Sequence, residues 1–268
     1  MIIGFTSSTL KDKSVDQVIE LAEKSGSQWI EWSDKHVTCI ETARKIAQKC
    51  SIPCSLGSYY RVGDGDTERW EELCKIARAL GAKLIRVWLG RVGSEETRVE
   101  TYARLVADGK SMAKTAGEFG IKIGAEAHQN TFNDCLEKCE CFLLDVPEFY
   151  TYYQSRYIDF GKDLERLEAT FHKTCAVHVS FSETRVNQRT MPLFAKRQKH
   201  CVQWIVLRLL RKNVDVPVLL EFCRGGSTRN FLADIKKLHK LAGGYTPIGL
   251  RRKMANYYHA APQSPDIP

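Results

Sequence analysis

No stretch of this chain reaches the roughly 18 consecutive apolar residues of a membrane-spanning helix, and that excludes such a span. No basic segment precedes an apolar one at the start. Met1 runs directly into Ile2-Ile3-Gly4-Phe5, so no secretory signal is read and a cytoplasmic location is expected. No Gly-x-Gly-x-x-Gly follows this first apolar run, so the main signature of dinucleotide binding is missing. The ten cysteines show no zinc-type spacing with a second ligand pair and read as reduced thiols packed as small hydrophobes. No linker-like stretch divides residues 1–242, which read as a single domain. Residues 243–268 read as a C-terminal extension whose Pro-rich end, APQSPDIP, is expected to be partly disordered.

The chain has 268 residues, 43% of them hydrophobic, enough for one large core. Lys and Arg number 40 against 32 Asp and Glu, a formal net charge of +8. The excess is scattered over helix-like segments, with clusters at Lys196-Arg197-Gln198-Lys199 and Arg251-Arg252-Lys253. Solvated helix faces explain that pattern better than a nucleic-acid footprint. A pocket for an anionic or polyol substrate fits the charge equally well.

Apolar runs and helix-period stripes alternate along the chain. Short strand-like runs stand at Ile2–Thr6, Gln28–Ser33, Pro53–Tyr60, Leu84–Leu89, Ile121–Ala127, Phe149–Gln154, Cys175–Phe181 and Pro217–Phe222. Helical patterns follow at Val15–Lys24, Thr38–Lys49, Thr67–Leu80, Glu95–Phe119, Thr131–Leu144, Leu164–His172, His200–Arg211 and Thr228–Ala242. Ser14, with Gln17 three residues on, predicts a capping box for the first helix. Glu183 to Lys196 lacks periodicity and reads as a long loop, a candidate lid. Eight strand–helix units in one domain predict an α/β fold, a (β/α)8 barrel, rather than an open doubly wound sheet.

A barrel gathers its chemistry at the C-terminal ends of its strands. Glu126 and His128 close the fifth strand, two residues apart, so the strand's alternation turns both to one face. Gln154 ends the sixth, His178 lies in the seventh, and Glu221 follows Val218-Leu219-Leu220 on the eighth. Two carboxylates, an imidazole and an amide oxygen suit a divalent cation: Mn²⁺, Mg²⁺, Co²⁺ or Zn²⁺. Each of these side chains also has a purely structural alternative. Glu221 could pair with Arg86 or Arg224, His178 could be a satisfied core histidine, and Gln154 could make an interior hydrogen bond. Other polar strand-end residues are Glu31, Asp34 and His36 on the second strand, Ser58, Tyr59, Tyr60 and Arg61 on the third, and Arg86 and Trp88 on the fourth.

At WIEWSDKHV, SLGSYYRVG, ARALGAKLIRVWLG, IGAEAHQNTFND, TYYQS, AVHVSF and LLEFCRGGS the chain resembles the sugar phosphate isomerase/epimerase superfamily, the xylose isomerase-like TIM barrels. The resemblance runs from Ile3 to about Leu241. It implies a metal held by Glu126, Gln154, His178 and Glu221, with Gln154 where the epimerases carry Asp, which weakens the site by one charge. It implies that Glu126 and Glu221 exchange a proton with the substrate through an enediolate, and that the cation polarises the carbonyl. His36, Tyr60, Trp88, His128 and Arg224 would bind a sugar, keto-sugar or polyol-derived substrate, with Tyr59 in the wall. The function so implied is isomerase or epimerase. Dehydration of a keto-polyol such as an inosose, or a metal-free sugar-binding barrel, is the alternative. Too few His and Asp ligands are present for the endonuclease members. Barrels of this family often form dimers, but no residue here locates an interface.

Overall fold

The computed structural model describes residues 1–154, 160–181, 192–212 and 215–243. Eight parallel strands close into a barrel in chain order. They are β1 Ile2–Thr6, β2 Trp29–Ser33, β3 Cys54–Val62, β4 Leu84–Leu89, β5 Lys122–Glu126, β6 Phe149–Gln154, β7 Thr174–Val179 and β8 Pro217–Leu220. β8 pairs back onto β1, with Ile2 opposite Pro217 and Phe5 opposite Leu220. Between them run α1 Val15–Ser25, α2 Ile40–Lys49, α3 Thr67–Leu80, α4 Val99–Glu118, α5 Leu136–Asp145, α6 Phe160–Ala169, α7 Pro192–Arg211 and α8 Thr228–Gly243. Among the described residues no helix is long and apolar enough to cross a membrane.

Alternation along each strand builds two cores. Ile3, Phe5, Ile30, Trp32, Leu56, Ile85, Val87 and Val218 join the helices in the larger one. The smaller comprises Leu84, Tyr152, Ala176 and Leu219, with Trp29 and Cys175 packed against it. Two residues on from Leu84, Ala176 and Leu219 stand Arg86, His178 and Glu221. The alternation that seats an apolar layer thus carries a charged layer one step nearer the strand ends.

The predicted capping box is present: Ser14 accepts from the Gln17 amide, and the Gln17 side chain accepts from the Ser14 N–H. Ser14→Ala is expected to cost about 1 kcal/mol, read as a lower urea midpoint at unchanged slope. An unchanged midpoint would show that the cap contributes nothing here. Gly26, at φ 66°, ends the helix in the left-handed region that glycine enters without strain.

Several helix boundaries differ from expectation. α5 starts at Leu136 rather than Thr131. Thr131 donates to the carbonyl of His128, and the Asn133 side chain to that of Ala125, so these residues close a turn instead of opening a helix. α4 starts at Val99, after a short 3-10 turn at Ser94–Glu96. α6 starts at Phe160 rather than Leu164 and ends at Ala169 rather than His172. α7 begins at Pro192, not His200, so the end of the expected loop is helical. Residues 183–191 of that candidate lid, and the extension beyond Gly243, lie outside the described residues. All ten cysteines are free, and Cys54, Cys74, Cys139, Cys201 and Cys223 are buried.

Candidate metal centre

Among the described residues, one group of three metal-ligating side chains converges: Glu126 of β5, His178 of β7 and Glu221 just past β8. One ligand atom from each lies within 4.8 Å of the others, and all three residues are buried. His178 Nδ1 is 3.5 Å from Glu126 Oε1 and 3.7 Å from Glu221 Oε2. Gln154 joins them through its Nε2, which donates to Glu221 Oε2 in a short contact. Its amide oxygen is the atom a cation would take. Barrel register brings these residues side by side: Gln154 pairs with His178, and Trp88 with Glu126.

Two further polar strand-end residues, Glu31 and Arg86, which the sequence offers without a place in the metal site, belong to the centre. Arg86, 5% exposed, sends its Nη1 to Glu126 Oε2 and its Nε to Glu31 Oε1 at 3.2 Å. Glu31, 0% exposed, also receives the Tyr152 hydroxyl on Oε2 and lies 3.3 Å from His178 Nε2. The available signal was a charge within an apolar strand, Trp-Ile-Glu-Trp on β2 and Leu-Ile-Arg-Val on β4. Arg86, which with Arg224 is one of the two alternative ion-pair partners for Glu221, makes its direct contacts to Glu126 and Glu31.

Electrostatics follows from this packing. Burial alone would raise the Glu31 carboxyl, but Arg86 and His178 beside it hold it at about 2, below its ordinary 4.5. Burial opposes ionisation of Glu126 too, and Arg86 outweighs it, keeping that carboxyl well below the usual range. His178 would be lowered by burial, but Glu31 and Glu221 raise it to about 10. Among the described residues, the Glu31, Glu126 and Glu221 carboxylates are buried around the Arg86 guanidinium and the His178 imidazole, a carboxylate-rich setting that suits a cation. Glu126 Oε1 and both His178 ring nitrogens are buried with no aligned hydrogen-bond partner, though each lies near an opposite charge. Unpaired polar atoms at this depth are costly. Two carboxylate oxygens and an imidazole nitrogen within 4.8 Å of one another are a donor set that a divalent ion takes, so the residues present fit one.

The expected substrate residues fall into two groups. Trp88 stands at the centre: its Nε1 donates to Glu126 Oε2 at 2.6 Å, and Tyr59 packs edge-on against its ring. The His128 ring also lies against Trp88, with ring centroids 5.1 Å apart. Tyr59 is 42% exposed, so this aromatic row reaches solvent. Tyr60 and His36 are not brought to it. The Tyr60 ring packs on Trp70 of α3 and its hydroxyl donates to the Asp66 carbonyl, because alternation along β3 turns it to the helix layer. His36 lies between Ser7 and the Lys13 carbonyl, at 3.0 and 3.1 Å, and is satisfied there. Arg224 is exposed on a 3-10 turn after β8.

The end of β8 is itself constrained. Phe222 has φ 60°, a left-handed conformation uncommon for a bulky side chain. Its N–H donates to Thr9 Oγ1 at 2.9 Å, and Thr9 donates in turn to the Leu220 carbonyl. Thr9 therefore straps the backbone on both sides of Glu221.

No protein-family model and no curated protein matches the sequence. Solved structures do match. The probable 3-DHS dehydratase AsbF, involved in petrobactin synthesis in Bacillus anthracis, superposes with a TM-score of 0.73 at 16% identity, covering 89% of this chain and 99% of its own. A D-psicose 3-epimerase solved in the presence of D-fructose gives 0.65 at 19% identity, covering 97% and 98%. A xylose isomerase domain-containing protein of Salmonella typhimurium LT2 gives 0.64 at 12%, covering 97% of each chain. Over almost its whole length, then, the chain has the fold of the xylose isomerase-like (β/α)8 barrels.

Proposed function

We propose that the chain is a divalent-cation-dependent isomerase or epimerase of a sugar, keto-sugar or polyol-derived substrate. The observation that carries this reading is the convergence of Glu126, His178 and Glu221 within 4.8 Å, with buried atoms of Glu126 and His178 lacking aligned partners. When bound, the cation supplies Lewis acidity toward a substrate carbonyl.

The two glutamates divide the remaining work by their surroundings. Glu126 has one oxygen engaged by both Arg86 and Trp88 and is held strongly acidic, so it is a fixed ligand and a weak base. Glu221, beside Gln154 and at the strapped end of β8, moves the proton at the carbon next to the carbonyl. Trp88, Tyr59 and His128 give the substrate an aromatic wall, with His128 able to meet a hydroxyl. The names of the dehydratase and the epimerase among the structural neighbours are in keeping with carbon-acid chemistry of this kind.

The test is a panel of ketoses and keto-polyols incubated in ²H₂O with Mn²⁺ and followed by NMR. Deuterium entering beside the carbonyl, with a rearranged or inverted sugar as product, supports the reading. Loss of water instead would make the chain a lyase using the same residues. No exchange with any substrate would remove the catalytic role.

A further inference from the structure

We propose that Glu31 is a positioning residue for His178: it takes the Nε2 side of the ring, so that Nδ1 is the nitrogen offered to the cation. The inference rests on the reading of Glu126, His178 and Glu221 as a shared ion site. It adds which ring atom binds and what fixes it.

The two edges of the imidazole face different groups. Nε2 lies 3.3 Å from Glu31 Oε1. Nδ1 lies 3.5 Å from Glu126 Oε1 and 3.7 Å from Glu221 Oε2, the two carboxylates that complete the ion-binding group. A neutral imidazole has one N–H and one lone pair. The proton belongs at Nε2, against a carboxylate outside the ion-binding group, and the lone pair at Nδ1, between the two carboxylates within it. A ligating histidine whose other nitrogen faces a carboxylate is held in tautomer and orientation and made a better donor.

Glu31 is itself built in place. Arg86 Nε reaches Oε1 at 3.2 Å and the Tyr152 hydroxyl reaches Oε2, so both oxygens are occupied and the carboxylate plane is set. The Tyr152 ring also meets the His178 ring edge-on at 4.8 Å between centroids. Gly57 of β3 clears the space: a Cβ there would lie 2.8 Å from Glu31 Oε1. Gly124 of β5 clears space for Cys175 and Tyr152, where a Cβ would fall 2.7 Å from Cys175 Sγ and 2.9 Å from Tyr152 Cδ2. Two strands thus carry glycine where a side chain would displace this pair.

The experiment is long-range ¹⁵N–¹H NMR of the histidine rings, with His178 assigned by its loss in His178→Asn, on the full chain with and without Zn²⁺. Zn²⁺ affinities of the native chain, Glu31→Gln and Tyr152→Phe are measured by calorimetry alongside. The expected result is Zn²⁺ on Nδ1 with the proton on Nε2, and an affinity about 10–100-fold weaker in Glu31→Gln. Tyr152→Phe, which removes only a hydroxyl, is expected to give a smaller loss in the same direction and supplies the comparison if Glu31→Gln does not fold. Zn²⁺ bound through Nε2, or undiminished affinity in both variants, would overturn the role of Glu31 while leaving the ion site standing. A native chain that takes up no Zn²⁺ would overturn both.

Discussion

Arg86→Met is expected to destabilise the barrel by about 3–5 kcal/mol, the usual cost of removing one partner from a buried ion pair. That is a large share of a typical domain's roughly 5–15 kcal/mol. The guanidinium bridges Glu31 and Glu126 at the centre of the barrel, and its loss strands two buried carboxylates. Urea denaturation measures the cost, and its pH dependence identifies the cause. In the native chain the Glu31 pKa is depressed from 4.5 to about 2, so its contribution is present above about pH 4.5 and lost as pH falls through 2. Without Arg86 the largest of the groups that lower it is gone, so the folded-state pKa rises and that contribution shrinks. The deficit of Arg86→Met is therefore expected to be full above about pH 4.5 and to narrow as pH falls toward 2, and adding Glu31→Gln should recover part of it. A native-like midpoint at pH 8 would show that Arg86 is not the counter-charge of this site.

Glu221→Gln is expected to lower turnover about 10²–10⁴-fold, the range for loss of a positioned acid–base group. The amide keeps the shape of the side chain and can still accept from Gln154 through its oxygen, so the fold should persist. The signatures are an unchanged circular dichroism spectrum, weaker cation binding, and loss of deuterium exchange beside the carbonyl. A fully active variant would transfer the proton-moving role to another residue. The same change at Glu126 tests the division of labour between them. Because Arg86 and Trp88 engage Glu126, Glu126→Gln should cost stability as well as binding.

Strand periodicity made the barrel legible, since eight apolar runs separated by helical stripes admit few other closures. The convergence of Glu126, His178 and Glu221 was legible for the same reason: each follows an apolar run, and closure in chain order brings the strand ends together. Helix starts were less legible where side chains compete with the backbone, as at Thr131 and Asn133 ahead of α5. Tyr60 looked like its neighbour Tyr59, but the two sit one residue apart on β3 and face opposite layers. His36 stood near a strand end without any sign in sequence that Ser7 and the Lys13 carbonyl would satisfy it. The pairing of Arg86 with Glu31 and Glu126 depends on register across four strands, which composition and spacing do not encode.

If Glu126, His178 and Glu221 hold one divalent cation, counting ions per chain reveals it. The native protein and His178→Asn would each be equilibrated with Mn²⁺ or Zn²⁺, freed of unbound ion, and analysed for metal. About one ion per native chain, lost in the variant, is the expected result for such a donor set. A native chain that retains neither ion, or a His178→Asn variant that retains as much as the native chain, would contradict the shared site.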